Sequence, residues 1–359
     1  MGAPKFLVVR LTAIGDVIHA LPAVMDLRSS FPEAEIDWLV ETTAAPLIRN
    51  SQIVSRVIEI STRRWRERML APATLRQIGG TITALRRARY DWAVDFQGLW
   101  KSGLLARLSG AREVIGFHSS DLREPSARVL YSRQAGPARG MHRIERNRNL
   151  LKIAGLHPSG PARYPATLWT EEDSRNVEKL SRELDPSLVV INPGAAWPTK
   201  LWRASRFGQL ARRIHQEFGH QIVCTFGPGE ESLVRAVEMH AKPSPVVPLK
   251  LSISEFACFV RRARMFIGGD TGPMHIAAAF QVPILSVFGP TSVPSTGPYQ
   301  TPQKVVQHIL PCSHCYRRSC WHHSCMKIET DEVWSGFLEL EGRLNSSRSQ
   351  PVHNLAGLE

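Results

Sequence analysis

The segment from Phe266 to Phe280, FIGGDTGPMHIAAAF, combines residue types that suit phosphate binding. An apolar strand ends at a Gly-Gly-Asp-Thr-Gly-Pro turn, and a helix of small residues follows at once. The first N–H groups of a helix have no partner within it, and the helix dipole adds partial positive charge there. Pro273 fits the first helical turn, and His275 can add a side-chain donor. The segment predicts a nucleotide-diphosphate site; the alternative is a well-capped strand-to-helix turn without a ligand.

A second candidate is Asp16, which follows a strand-like run and begins a helix. The turn before it has one glycine, Gly15, and so lacks the G-x-G-x-x-G fingerprint of dinucleotide-binding domains. The helix dipole stabilises the charged form of a carboxylate at this position. Asp16 is then a weak base that accepts a proton only as a hydroxyl attacks, or it merely caps the helix.

Two further loops carry charged side chains that suit a nucleotide. Lys200 lies in PGAAWPTKLW and can neutralise a phosphate. Glu230 and Glu231 begin a helix after a Gly-Pro-Gly turn and can accept hydrogen bonds from ribose hydroxyls. The alternatives are a solvated lysine, and glutamates that interact only with the first helical turn.

Positive charge is concentrated in the first half of the chain. Residues 1–165 hold 25 Lys and Arg against 14 Asp and Glu, a net charge of +11, whereas the whole chain has +13. The run RRWRER, from Arg63 to Arg68, lies in this half, and arginine suits bidentate contacts to phosphate or carboxylate. We therefore expect an anionic partner here, unless the charge is only a solvated surface. Only Trp65 interleaves an aromatic ring with the charge, so nucleic acid is not the expected partner.

Four of the six cysteines crowd into one short segment that also holds three histidines. These cysteines are Cys312, Cys315, Cys320 and Cys325. In a cytosolic protein such density indicates a structural zinc site more than disulfides, and free or redox-labile thiols are the alternative. No Asp-x-Asp pair occurs, which argues against a carboxylate-bound Mg²⁺ under a donor phosphate.

The elements that must position these residues repeat one pattern twice. Continuous apolar strands alternate with amphipathic helices, which is typical of parallel sheets covered on both faces. The predicted strands are 6–11, 36–41, 57–60, 92–96 and 114–117, then 188–192, 222–226, 246–249, 265–268 and 284–288. Ligands of such sheets bind beyond the carboxyl ends of the strands, where both Asp16 and Asp270 lie.

The pattern predicts two Rossmann-like α/β domains that face each other across a cleft. The predicted bounds are residues 1–165 and 166–344, and residues 345–359 have the low hydrophobicity of a disordered tail. No run of about 18 apolar residues occurs, and the N-terminal segment lacks a small-residue cleavage site. We therefore expect a cytoplasmic protein.

Taken together, these segments resemble the ADP-heptose:lipopolysaccharide heptosyltransferases, inverting glycosyltransferases of family 9 with the GT-B fold. The resemblance is strongest to the heptosyltransferase I branch and extends from Lys5 to about Val333. It depends on the motifs TAIGDVIHALPA, IDWLVE, RRWRERM, DFQGLWKSG, REP, HRIERNR, PGAAWPTKLW, GGDTGPMHIAAA and VFGPT, which occur in this order.

The resemblance implies transfer of L-glycero-D-manno-heptose from ADP-heptose to the Kdo of Kdo-lipid A in lipopolysaccharide inner-core synthesis. It implies that catalysis requires no metal or other cofactor, and that the protein acts at the cytoplasmic face of the inner membrane. The first domain would bind the acceptor and the second the donor. The alternatives are a related glycosyltransferase with another sugar nucleotide or acceptor, a sugar-nucleotide epimerase, and a non-catalytic protein that binds anionic surfaces.

The resemblance also assigns roles to individual residues. Asp16 is the implied general base. The implied donor-binding residues are Thr12, Gly15, Lys200, Glu230, Asp270, Thr271, Gly272 and His275. The implied acceptor-binding residues are Arg63, Arg64, Arg66 and Arg123.

Overall fold

The computed structural model describes residues 3–349, which form two α/β units. The first unit runs to Glu183 and also contains Leu251–Arg261 and Pro294–Gln300. The second unit contains Leu184–Lys250, Arg262–Val293 and the chain from Thr301 onward. Within residues 3–349, no helix combines the length and the hydropathy that a membrane-spanning segment requires.

The strands and helices alternate along the chain, as the sequence predicts. The strands are β1 (Lys5–Val9), β2 (Glu35–Glu41), β3 (Arg56–Ile60), β4 (Trp92–Asp95), β5 (Glu113–Gly116), β6 (Arg133–Gln134), β7 (Val189–Asn192), β8 (Ile222–Phe226), β9 (Val246–Lys250), β10 (Met265–Gly269), β11 (Ile284–Phe288) and β12 (Gln303–Gln307). The α-helices are α1 (Ile14–Ser30), α2 (Ala45–Arg49), α3 (Thr62–Glu67), α4 (Pro72–Ala88), α5 (Trp100–Leu108), α6 (Arg143–Leu150), α7 (Glu171–Leu180), α8 (Ala204–Phe218), α9 (Glu231–Ala241), α10 (Ile253–Val260), α11 (Gly272–Ala279), α12 (Val293–Thr296) and α13 (Thr330–Ser349). Short 3₁₀ turns lie at Ser119–Asp121, Pro125–Leu130, Leu151–Ala154, Pro198–Lys200 and Ser324–Met326.

Each unit is built on a parallel six-stranded sheet with the same topology. The strand orders are β3-β2-β1-β4-β5-β6 and β12-β11-β10-β7-β8-β9. In each sheet the first strand pairs with both the second and the fourth, so β1 lies between β2 and β4, and β7 lies between β8 and β10. The chain reverses its direction of winding at this point, and the carboxyl ends of the two strands leave a crevice that suits a ligand. The prediction of two Rossmann-like α/β domains is confirmed.

All the predicted strands are present, and two edge strands were missed. The strands β6 and β12 each lie at one edge of their sheet. In β12 every residue is only half-buried, and polar residues flank its two valines. An edge strand whose side chains are partly exposed does not need a continuous run of apolar residues, and such runs were the signal that predicted the central strands.

The first unit extends past the predicted boundary at residue 165 because α7 packs against α10. Asn176 Nδ2 of α7 donates to Glu255 Oε1 of α10 at 3.3 Å. The guanidinium of Arg261 lies over the ring of Trp169, 5.1 Å from its centroid. These contacts make the later segment Leu251–Arg261 part of the first unit. A single boundary in the sequence therefore cannot divide the two units.

The disordered tail predicted from Asn345 is wrong for residues 345–349, because α13 continues to Ser349. Arg264 Nη2 donates to Asn345 Oδ1 at 2.6 Å, and Arg264 is itself held by the buried carboxylate of Glu341. Leu344 packs against the core of the second unit. These long-range contacts stabilise a helix end whose own sequence has low hydrophobicity. Residues 350–359 lie outside the described part of the chain.

Candidate functional site

In the first unit, Asp16 lies in the first turn of α1, and two arginines from outside that helix contact its carboxylate. Arg10 Nη2 lies 2.8 Å from Asp16 Oδ1, and Arg143 Nη1 of α6 contacts the same oxygen. The Ala13 N–H donates to Asp16 Oδ2 at 3.2 Å. The carboxylate therefore caps α1 and also forms ion pairs, so the capping role does not exclude a chemical one.

The arginines keep Asp16 ionised. Burial opposes the charge, but Arg10 and Arg143 outweigh that effect and hold the pKa of Asp16 below its usual range. A carboxylate with a depressed pKa takes a proton poorly from a resting hydroxyl. It can accept the proton as the hydroxyl becomes acidic during bond formation, which is the behaviour expected from the sequence.

A third guanidinium, that of Arg146, adds positive charge near Asp16. Arg146 lies over the ring of Phe117 at 4.6 Å, and its Nε is buried without a hydrogen-bond partner among the described residues. Burial, together with Arg143 and Arg10, lowers the pKa of Arg146 to about 10, so it stays charged at neutral pH. The surroundings of Asp16 therefore attract an anionic ligand.

Thr12 lies in the turn between β1 and α1, where Gln97 holds it. The Thr12 N–H donates to Gln97 Oε1 at 3.1 Å, and Gln97 Nε2 donates to Thr12 Oγ1 at 3.3 Å. Gln97 follows β4, so it joins the two loops at the winding reversal of this sheet. Gly15 is buried in the first turn of α1. Gln97 lies in the motif DFQGLWKSG but was not among the predicted site residues, although a side-chain amide directly after a buried strand was an available signal.

In the second unit, two predicted residues converge on the carboxylate of a third, Asp270. Asp270 Oδ2 lies 2.7 Å from Lys200 Nζ, and Oδ1 lies 3.2 Å from His275 Nε2. Lys200 comes from the loop after β7, Asp270 from the loop after β10, and His275 from α11. Burial opposes the charge of Asp270, but His275 and Lys200 outweigh it and hold the pKa of Asp270 below its usual range.

The N-terminus of α11 presents unsatisfied donors beside this cluster. Thr271 is the N-cap residue, and its hydroxyl is buried without a hydrogen-bond partner among the described residues. Leaving a buried hydroxyl unpaired costs about 1–3 kcal/mol, which a ligand oxygen can recover. Gly272 begins the helix, whose first N–H groups and dipole favour an anion. Lys200 donates two protons to Asp270, one to the carboxylate and one to the backbone carbonyl, and can donate the third to a phosphate.

Glu230 lies beside the same β7 loop that carries Lys200. Its Oε2 accepts a hydrogen bond from the Gly227 N–H at 2.8 Å. A Cβ on Gly194 would lie only 2.0 Å from Glu230 Oε1, so the glycine is required for this close approach. The carboxylate of Glu230 is half-buried and keeps acceptor capacity for the hydroxyls of a ribose.

The four arginines predicted to receive the acceptor are all exposed, and they follow two different strands of the first sheet. They are Arg63, Arg64 and Arg66 on α3 and Arg123 in the loop after β5. Helix α3 follows β3, and β3 and β5 are separated by three strands, which corresponds to roughly 19 Å across the sheet. The strand that carries Asp16 at its end, β1, lies between them. The arginines thus lie on either side of Asp16 along the carboxyl edge of the sheet.

The cysteines predicted to bind zinc line one cavity of about 320 Å³ in the second unit. They are Cys312, Cys315, Cys320 and Cys325, and the histidines His322 and His323 line the same cavity. Within the described part of the chain, however, no three His, Cys, Asp or Glu side chains lie close enough together to hold a metal ion. The geometry gives the zinc prediction no support, and it stays a prediction.

Comparison with known proteins gives one consistent result. Residues 80–325 match the family model of glycosyltransferase family 9 (heptosyltransferase). The chain is 32% identical over 320 residues to lipopolysaccharide heptosyltransferase 1 of Pseudomonas aeruginosa, a match that covers 88% of this chain and 87% of that protein.

The structure is similar to that of the E. coli heptosyltransferase WaaC with ADP, with a TM-score of 0.76 and 26% identity, over 94% of this chain and 99% of that one. The same protein with ADP-2-deoxy-2-fluoro heptose gives a TM-score of 0.75 at 26% identity, with the same coverage. The GT-B fold class predicted from the sequence is confirmed.

Proposed function

The chain belongs to glycosyltransferase family 9, the heptosyltransferases, and from this premise we propose that it transfers L-glycero-D-manno-heptose from ADP-heptose to the Kdo of Kdo-lipid A. The relatives named above include a lipopolysaccharide heptosyltransferase 1 and a heptosyltransferase with bound ADP and a fluorinated ADP-heptose. The runner-up is a family member that uses another sugar nucleotide or another acceptor.

The observation on which the donor assignment depends is the unsatisfied N-terminus of α11. The Thr271 hydroxyl, the first N–H groups of α11 and the third proton of Lys200 all suit diphosphate oxygens. Glu230, beside the same loop, suits the ribose of adenosine. We assign Thr12, Gly15, Lys200, Glu230, Asp270, Thr271, Gly272 and His275 to the donor; Asp270 holds Lys200 and His275 in position.

The proposed reaction is a single displacement that inverts the anomeric carbon. An acceptor hydroxyl oxygen forms the new bond to that carbon while the bond from the carbon to the diphosphate oxygen breaks. The electron pair of the broken bond leaves with ADP, and the hydroxyl proton passes to Asp16. The depressed pKa of Asp16 fits a proton transfer that occurs during bond formation rather than before it.

The donor groups of the second unit support a reaction in which no bound metal stabilises the leaving ADP. Lys200 and the N-terminus of α11 would supply fixed positive charge where the leaving oxygen becomes negative, and His275 can add a side-chain hydrogen-bond donor. We therefore propose that catalysis requires no metal, and that any zinc at the cysteine segment is structural. Elemental analysis of untagged protein tests whether the cysteines bind zinc, with about one zinc per chain expected if they do.

We assign acceptor binding to Arg63, Arg64, Arg66 and Arg123, which are exposed along the carboxyl edge of the first sheet. Guanidinium groups suit the carboxylates of Kdo and the phosphates of lipid A. Because this acceptor is anchored in lipid, we propose that the protein works peripherally at the cytoplasmic face of the inner membrane.

The test is an ADP-release assay with ADP-heptose and Kdo2-lipid A in the presence of a chelator, with each component omitted in turn. ADP release that requires both components supports the proposal. If ADP-heptose binds without turnover, the acceptor assignment is wrong. If ADP-heptose does not bind, the donor assignment is wrong, and the runner-up with another sugar nucleotide takes its place.

A further inference from the structure

The turn between α3 and α4 exposes large apolar side chains at its tip. The Ala71 N–H donates to the Arg68 carbonyl at 3.0 Å, which forms a β-turn with Met69 and Leu70 as its central residues. Met69 is 59% exposed and Leu70 is 90% exposed. Turn tips usually carry Gly, Pro, Asn, Asp or Ser, so two adjacent large apolar residues here are not explained by turn formation.

The tip is held by packing beneath it. Trp65 of α3 is buried, and its indole Nε1 donates to Gln77 Oε1 of α4 at 3.3 Å. The Arg68 N–H donates to the Arg64 carbonyl at 3.0 Å and continues α3 into the turn. Leu75, on the first turn of α4, is also 54% exposed. The exposed apolar side chains therefore lie on a turn that is fixed by contacts between α3 and α4.

Positive charge surrounds this apolar tip. The exposed arginines on α3, in the turn and in the first turns of α4 are Arg63, Arg64, Arg66, Arg68 and Arg76. The acidic residue among them is Glu67, and it is neutralised by Arg63 at 2.8 Å. An apolar tip flanked along the chain by exposed arginines is complementary to an anionic bilayer, where the apolar groups enter the acyl boundary and the guanidinium groups stay among the headgroups.

We propose that the α3–α4 turn docks the protein on anionic lipid bilayers, with Met69 and Leu70 inserted below the headgroups. A protein partner would match the apolar tip equally well, but the excess of exposed arginines over Glu67 favours an anionic lipid surface. The inference rests on the proposed function in one respect, because a lipid-anchored acceptor gives this docking its purpose. The docking itself requires no acceptor.

The test is cosedimentation of the full chain with acceptor-free vesicles of phosphatidylglycerol and phosphatidylcholine. The double variant Met69→Glu/Leu70→Glu should lower the partition coefficient at least tenfold. The matched control is Met239→Glu, which changes a 65%-exposed methionine on α9 and should leave partition within twofold. Arg68→Gln/Arg76→Gln should weaken binding less, and raised salt should weaken the binding of the wild type.

Several outcomes would overturn the docking. They are a wild type that does not sediment with anionic vesicles, one that binds pure phosphatidylcholine equally well, and a double variant that partitions as the wild type does. Self-association through the turn without lipid would assign the surface to a second copy instead.

An activity measurement separates this inference from the proposed function. With a deacylated, water-soluble acceptor, the double variant should keep the ADP-release rate of the wild type, and a matching loss of rate would mean that the substitutions act through the acceptor site or the fold. If no acceptor supports turnover but vesicle binding follows the pattern above, the proposed function fails and the docking stands. If turnover is normal but the double variant binds vesicles as the wild type does, the docking proposal is wrong and the proposed function stands.

Discussion

Lys200 Nζ lies 2.7 Å from Asp270 Oδ2, and this pair joins the loop after β7 to the loop after β10. The two strands are neighbours in the second sheet, at the point where its winding reverses. The side chains are 15% and 5% exposed, so the lysine charge is held in place before a ligand arrives. Positive charge fixed in this way needs little reorganisation when a diphosphate develops negative charge.

Lys200→Ala should weaken ADP binding by about 10- to 100-fold, because a charge-assisted hydrogen bond to phosphate contributes about 1.5–3 kcal/mol. Isothermal titration with ADP measures the effect. The matched control is Lys250→Ala, which removes an exposed lysine paired with Glu231 at 3.0 Å and should change the Kd less than about twofold. Equal binding by Lys200→Ala and the wild type would remove Lys200 from the donor site.

Asp16→Asn should lower kcat by about 10²- to 10⁴-fold, because the amide keeps the size of the carboxylate but cannot accept the proton. The Kd for ADP-heptose should change less than about tenfold, or roughly 1.4 kcal/mol. Single-turnover ADP release and titration separate the two quantities. Asp173→Asn, at the N-terminal capping box of α7, is the control and should leave kcat unchanged. Normal turnover by Asp16→Asn would falsify its role as the base.

Gly194→Ala should weaken ADP binding as much as Glu230→Gln does, because a Cβ at Gly194 would lie 2.0 Å from Glu230 Oε1 and displace that carboxylate. Titration with ADP and with inorganic pyrophosphate distinguishes the nucleoside end from the phosphate end, and only ADP binding should suffer. Gly342→Ala is the control in the same unit, since a Cβ there meets no atom within 4 Å. That control should leave binding intact and raise stability by about 0.5–1 kcal/mol, as a helix-interior Gly→Ala change does.

The stability of the protein should fall on acidification, in part through Asp270. Its folded-state pKa is depressed, whereas the pKa in the unfolded chain is about 3.9, so the unfolded chain binds the proton first. The stabilisation is present above that value and is lost as the pH falls through the depressed pKa. Asp270→Asn should therefore lose less stability than the wild type below about pH 4, as measured by urea midpoints at a series of pH values.

Asp331→Asn is the control for the acid series, because Asp331 is 89% exposed in its ion pair with Arg213. An exposed pair contributes little, so this variant should follow the wild-type curve. If Asp270→Asn also follows the wild-type curve, the charged form of Asp270 does not contribute to the free energy of unfolding.

The two-domain α/β class, the central strands and the motifs at their carboxyl ends were predictable from the sequence. Buried parallel strands need apolar residues at every position, and helix starts need particular residue types, so both leave local patterns. For this reason, the observed bounds of β8 and β11 coincide with the predicted ones. The edge strand β12 and the last residues of α13 left no such pattern, because contacts from other elements stabilise them.

Which charged side chains contact one another depends on the packing of elements that are distant in the sequence. Arg143 reaches Asp16 across 127 positions of the chain, and Lys200 reaches Asp270 across 70. Periodicity reports which face of an element is buried, but the distance between side chains on different elements depends on strand order and packing. The same strand order places Arg123 and the arginines of α3 after different strands, although all of them lie in the basic first half of the sequence.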